Sequence, residues 1–138
     1  MNPSINTHFI RQLLRVLVLL MSLTSCSESF QTLDPKNFNE KIAGRTDIKT
    51  SEELITLFYD WPDSEEKPKL TIKTDKLEGN SYEITLIHEE LEDDSQSGEK
   101  IVMKAKLNGR TWIVTEIKKN WKCWSGRGQT NWGTELCD

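Results

Sequence analysis

The densest chemistry in the chain lies at its carboxyl end, Trp121-Lys122-Cys123-Trp124-Ser125-Gly126-Arg127-Gly128-Gln129-Thr130-Asn131-Trp132-Gly133-Thr134-Glu135-Leu136-Cys137. Three of the protein's five tryptophans fall in this segment, beside one arginine flanked by glycines and with two cysteines near its ends. A Gly-Arg-Gly turn that presents Arg127 between the faces of Trp121, Trp124 and Trp132 would make a platform for a sugar ring, a peptide or a carboxylate. The guanidinium supplies forked donors and the indoles supply flat apolar area. The plainer alternative is that the tail folds back and its tryptophans complete a small core, with glycines making the turns.

Elsewhere the chemistry thins out. His88 is the only histidine beyond the first 25 residues, so sites needing two or three imidazoles are excluded there. It shares an alternating face with Ile84 and Leu86, which reads as a strand-end residue with a satisfied hydrogen bond rather than a general base. Residues 89–99 hold Glu89, Glu90, Glu92, Asp93, Asp94 and Glu99. Their spacing does not match a calcium loop and reads as a solvated strand connection, balanced by Lys100, Lys104 and Lys106. Glu83, Glu89 and Glu116 could supply a carboxylate pair for glycoside chemistry, with no separation fixed by sequence. No nucleophile elbow, phosphate-binding glycine loop or Ser-x-x-Lys is present. No catalytic residue, metal or cofactor is expected.

The 138 residues suffice for a single folded domain, and a net charge of -4 lacks the basic footprint of a nucleic-acid binder. The first 25 residues differ from the rest. They carry Arg11 and Arg15, no acidic residue, and the apolar run Val16-Leu17-Val18-Leu19-Leu20-Met21, too short to span a bilayer. That is an export signal. Leu23-Thr24-Ser25-Cys26 then resembles the lipobox of bacterial lipoproteins. The resemblance implies diacylglycerol on the Cys26 thiol, cleavage before it, and a domain held on a membrane by two or three acyl chains. Ser27 after the cysteine fits sorting to the outer membrane, facing the periplasm. With Cys26 lipidated in an exported protein, Cys123 and Cys137 remain as an even pair, and their spacing reads as a disulfide. A zinc pair fails for want of further ligands, and a redox pair for want of Cys-x-x-Cys.

The expected organisation is therefore residues 1–25 as signal peptide, 26–33 as lipidated cysteine and flexible tether, and 34–138 as one α+β domain. Asp34-Pro35 predicts a helix over 35–43 with Phe38 and Ile42 on its inner face and Gly44 beyond it. Thr50-Ser51-Glu52-Glu53 is a capping box opening a second helix, with Leu54, Ile55, Phe58 and Trp61 inward and Pro62 as its stop. Alternation then replaces helical spacing: Leu70 and Ile72; Tyr82, Ile84, Leu86 and His88; Ile101, Met103, Ala105 and Leu107; and a long strand over 111–121. Asn108-Gly109 predicts a type I′ hairpin that would set Ala105 against Trp112 and Met103 against Val114.

Two short helices packed on a four-stranded antiparallel sheet, with a disulfide-closed loop at the carboxyl end, make the expected fold, and its helices-then-strands order over about residues 35–121 resembles the cystatin and NTF2-like class. The Gln-x-Val-x-Gly signature of cystatin inhibition and the acid–histidine arrangement of NTF2-like enzymes are absent. The expected function is a non-catalytic, lipid-anchored envelope protein. Its partners would be the membrane through the lipid and an envelope protein or cell-wall glycan through the Trp/Arg loop. The alternative is an inhibitor or immunity-type lipoprotein whose loop blocks an envelope hydrolase.

Overall fold

A computed structural model describes residues 28–60 and 69–138. The chain runs β1 (Gln31–Leu33), α1 (Lys36–Ile42), α2 (Ser51–Tyr59), β2 (Leu70–Lys76), β3 (Ser81–Glu89), β4 (Gln96–Asn108) and β5 (Thr111–Cys123). The strands form one antiparallel sheet in the order β1-β5-β4-β3-β2. The α+β class and the disulfide are as the sequence predicts. The sheet has five strands rather than four, however, and a strand precedes the helices. Gln31, Thr32 and Leu33 are too few to show alternation, and they are held by residues far along the chain, Lys119, Lys118 and Ile117.

Each helix follows from its ends. In α1 the Asp34 carboxylate accepts from the Lys36 amide at 2.9 Å, so Pro35 takes the cap position and the helix begins one residue later than expected. Gly44, at φ +70°, lets the chain turn away after Ile42. At α2 the Thr50 hydroxyl accepts from the Glu53 amide at 3.1 Å while the Glu53 carboxylate accepts from the Thr50 amide at 3.4 Å, the reciprocal box. Asp60, in the left-handed region, ends the helix after Tyr59. Trp61 and Pro62 lie outside the described residues.

Phe38, Ile42, Leu54 and Ile55 from the helices cover one face of the sheet. There they meet Ile84 beside Met103 beside Ile117, Leu86 beside Ile101, and Ala105 beside Val114. Ile84, Leu86, Met103, Leu54 and Ile55 have no exposure at all. Burying each such side chain contributes about 1.5–3 kcal/mol relative to water, before ordering costs. This face is the core.

The β4–β5 hairpin corrects the expected register. Its loop is Gly109-Arg110, and only Gly109 has positive φ, so Leu107 pairs with Trp112 and Ala105 with Val114. Trp112 sits over the connection between the helices, where its indole N–H donates to the Ile48 carbonyl at 3.2 Å. Three residues further on, Thr115 is a bulge between Val114 and Glu116, its hydroxyl bonded to the Lys104 carbonyl at 3.2 Å. The bulge restores phase, so that Val114 and Ile117, three apart, both face the helices. Beyond the end of β1 the edge of β5 is finished by a side chain. The Asn39 amide accepts from the Val114 N–H and donates to the Val114 carbonyl, both at 2.8 Å.

Candidate functional site

Strand β5 ends at Cys123, and the tail that follows returns to it. The Cys123–Cys137 disulfide closes the return, with Cα atoms 5.6 Å apart. Gly133 pairs with Trp121 through two backbone hydrogen bonds of 3.0 Å, so the tail extends the sheet edge. Gly126 and Gly128, at φ +84° and +135°, supply the backbone that the intervening turn requires. Between them the Arg127 amide donates to the Trp124 carbonyl at 2.9 Å.

The three tryptophans of this segment part company. Trp121 is buried on the helix-bearing face, its N–H donating to the Glu135 carbonyl at 2.8 Å. Trp132 lies on the other face, and a Cβ built on Gly98 would meet its ring at 3.2 Å. Lysines face the rings: Lys100 Nζ at 4.5 Å and Lys122 Nζ at 5.0 Å from the centre of Trp132, and Lys119 Nζ at 5.7 Å from Trp121. Trp124 remains 40 % exposed, anchored by its N–H to the Asp93 carbonyl at 2.8 Å. The Arg127 guanidinium is not between indoles; it is exposed, 3.5 Å from the Asp138 carbonyl. Trp121 and Trp132 thus do the core work of the plainer reading, while Trp124 and Arg127 stay on the surface. Cys26 lies outside the described residues.

An open cleft of about 250 Å³ runs between this loop and the β3–β4 connection, lined by Glu89, Glu90, Ser97, Lys122, Cys123, Trp124, Ser125 and Thr130. Lys122 Nζ bonds the Glu89 carboxylate at 2.7 Å, which holds that carboxyl below its usual range. The floor is set by a second bulge at Ser97, whose hydroxyl donates to the Cys123 carbonyl at 3.0 Å. One wall is residues 90–95, shorter than the acidic connection expected, because Glu89 and Glu99 belong to the strands. Asp93 organises it, accepting from the amides of Gln96 at 2.6 Å and Ser95 at 2.9 Å; these bonds lower its pKa. Cleft chemistry is that of a shallow polar site with one aromatic face, suited to a sugar ring or a short polar peptide.

Two of the lysines expected to balance this loop pair elsewhere. Lys100 bonds the Glu28 carboxylate at 2.7 and 2.9 Å, and Lys104 bridges Glu116 at 3.1 Å and Glu83 at 3.9 Å. Glu28 and its neighbour Ser29 are therefore part of the fold rather than of a free tether. The Asn120 amide, fully buried, donates to the Ser29 carbonyl at 3.1 Å, and Thr134 donates to the Ser29 hydroxyl at 3.3 Å. No group of three or more metal-ligating side chains occurs among the described residues.

His88 is 3 % exposed, and its Nδ1 lies 2.7 Å from the Tyr59 hydroxyl. Glu99 is its cross-strand neighbour and sits 3.6 Å from Lys119. Burial lowers the His88 pKa against the opposing pull of Glu99, and burial with Glu99 raises that of Tyr59. The cluster ties the last turn of α2 to β3. Sequence reasoning placed His88 on the inner face but did not find Tyr59, whose position at the end of a helix carries no signal about a strand 29 residues away.

No protein-family model, curated protein or solved structure matches the chain.

Proposed function

We propose that the protein is a lipid-anchored component of the bacterial cell envelope, held through Cys26 on the periplasmic side of the outer membrane. There it binds a protein or cell-wall glycan without catalysing a reaction. The observation that carries the binding reading is the cleft walled by Trp124. An indole 40 % exposed, held on a loop closed by a disulfide and beside carboxylates and hydroxyls, offers a partner a flat, fixed apolar face with polar groups around it. The non-catalytic reading is supported by the burial of His88 and by the lysine pairing of Glu83, Glu89 and Glu116. The lipid anchor rests on the resemblance of Leu23-Thr24-Ser25-Cys26 to the lipobox.

Intact mass of protein purified from membranes, beside a Cys26→Ala control, tests the anchor: a chain beginning at Cys26 with acyl chains supports it. Capture from envelope extract tests the contact. A partner retained by the wild type and lost by Trp124→Ala, with unfolding unchanged, supports the cleft; equal retention by both sinks it.

A second reading is favoured by the shape of the loop. Arg127 stands exposed between Gly126 and Gly128 on a covalently closed turn, a form suited to entering an enzyme's active site. The protein would then be an inhibitor or immunity-type lipoprotein. A hydrolase in the captured fraction, inhibited by the wild type and spared by Arg127→Ala, distinguishes this reading from simple binding.

A further inference from the structure

We infer that the cleft beside Trp124 takes a basic side chain, an arginine or lysine of a partner protein, whose cation lies over the indole and meets the Glu90 carboxylate. This rests on the reading of the cleft as the contact surface and deepens it by naming the chemistry of the partner.

The indoles of the tail follow a pattern. Lys100 and Lys122 stand over the ring of Trp132, at 4.5 and 5.0 Å from its centre, and Lys119 stands 5.7 Å from that of Trp121. Among the described residues no lysine or arginine stands over Trp124, although it is the most exposed of the three. Arg127, three residues on, is turned to the Asp138 carbonyl at 3.5 Å instead. The Trp124 ring is nevertheless held in place. Its indole N–H donates to the Asp93 carbonyl at 2.8 Å, and its backbone amide donates to the Ser95 carbonyl at 2.9 Å. An indole face is electron-rich and attracts cations. Two of the three rings take theirs from within the chain, and the third lines a cleft open to a partner.

The polar groups of the cleft are uneven in what they leave for a ligand. Lys122 is bonded to Glu89 at 2.7 Å, and the Ser97 hydroxyl donates to the Cys123 carbonyl at 3.0 Å, so these donors are spent inside the protein. The Glu90 carboxylate lines the same cleft and has no hydrogen bond or ion pair among the described residues. Over residues 89–97 and 122–130, five carboxylates stand against Lys122 and Arg127 alone. Such a surface, rich in acceptors and in negative charge, complements a group that is positive and only donates. A guanidinium meets both conditions and lies flat on an indole, and an ammonium meets them as a point charge. A neutral sugar stacks on the ring but draws nothing from the unbalanced charge.

The test uses the purified protein in neutral detergent, with the Trp124 indole N–H signal assigned in NMR spectra by its loss in Trp124→Phe. Three probes are titrated: the blocked peptide Gly-Arg-Gly-Arg-Gly, the same peptide with uncharged citrulline in place of arginine, and triacetylchitotriose. The arginine peptide is expected to shift the Trp124 signal saturably and to leave that of Trp132 in place. The citrulline peptide should bind about five-fold more weakly, as for loss of an exposed cation–π contact and its ion pair. Glu90→Gln should weaken the arginine peptide about three-fold. Equal binding of the two peptides overturns the proposal, and so does a Glu90→Gln protein that binds the arginine peptide as the wild type does. A shift with triacetylchitotriose and none with arginine overturns it too, while leaving the cleft a contact for glycan. In capture from envelope extract, equal retention by wild type and Trp124→Ala removes the reading of the cleft itself, and the proposal with it. Retention lost in Trp124→Ala, beside an arginine peptide that shifts nothing, overturns the proposal alone.

Discussion

The two ends of the sheet are built on different physics. Under the helices, Ile84, Leu86, Met103 and Ile117 lock together with almost no polar atom among them. At the other end the packing is made of lysines over indoles, a buried asparagine, two bulged or glycine positions and a disulfide. The first end is stable because water is excluded, and any residue of the right size and shape would serve. The second depends on particular partners, and it is there that Trp124 and Arg127 remain exposed. Apolar packing and partner-specific packing are separated along the strands.

The largest blow to this contrast should come from the helix-covered end. Met103→Ala removes a side chain with no exposure and is expected to cost about 2–5 kcal/mol in urea unfolding, with loss of the whole fold at the transition. Replacing both Cys123 and Cys137 by serine is expected to cost about 3 kcal/mol from loop closure. The sign of the contrast is in where the loss is felt. Hydrogen exchange should quicken over residues 124–136 and leave β3 and β4 near Met103 protected; loosening throughout would mean that the two ends are one cooperative unit.

Asn39→Ala comes next, at about 1–3 kcal/mol, since it strips the Val114 N–H and carbonyl of their partners. A smaller effect is expected from His88, whose pKa is lowered in the folded protein. Above about pH 6.5 the ring is neutral folded or unfolded and adds no slope. As pH falls below that value the unfolded chain takes up the proton first, so stability drops until the folded ring is protonated too. His88→Gln should flatten the urea midpoint between about pH 5 and 7. Smallest of all, Arg127→Ala should change stability by less than about 0.5 kcal/mol, because the hydrogen bond that its guanidinium makes to the Asp138 carbonyl is a long one at the surface and its backbone bonds survive the substitution.

What the sequence told depended on how far apart the informative residues are. The capping box at Thr50 and the alternation through Ile84, Leu86 and His88 are local patterns, and both elements are where those patterns put them. Thr115 was legible too, in hindsight of a physical kind: the inward residues Trp112 and Val114 are two apart, but Ile117 follows after three, and a strand can absorb that only with a bulge. Asn108-Gly109 drew attention to the wrong pair because it favours a turn in which both residues have positive φ, and only the glycine does. Strand β1, the ion pair of Glu28 with Lys100 and the lysines over Trp132 had no local signal. Each is a meeting of residues from distant parts of the chain, and a basic residue beside an indole reads the same whether it stacks or not.

The hold of Glu28 and Ser29 on the rest of the molecule also has a consequence in time. Their partners Lys100, Asn120 and Thr134 stand 72, 92 and 105 residues away along the chain. A polypeptide is made, and emerges, from its amino end, so the first residues of the domain wait for almost the last before they have anywhere to bind. Sheet completion is then a late, non-local event with the slow closure that long separations impose. Until it happens residues 28–33 have nothing to pair with, and they are drawn in only when the tail arrives.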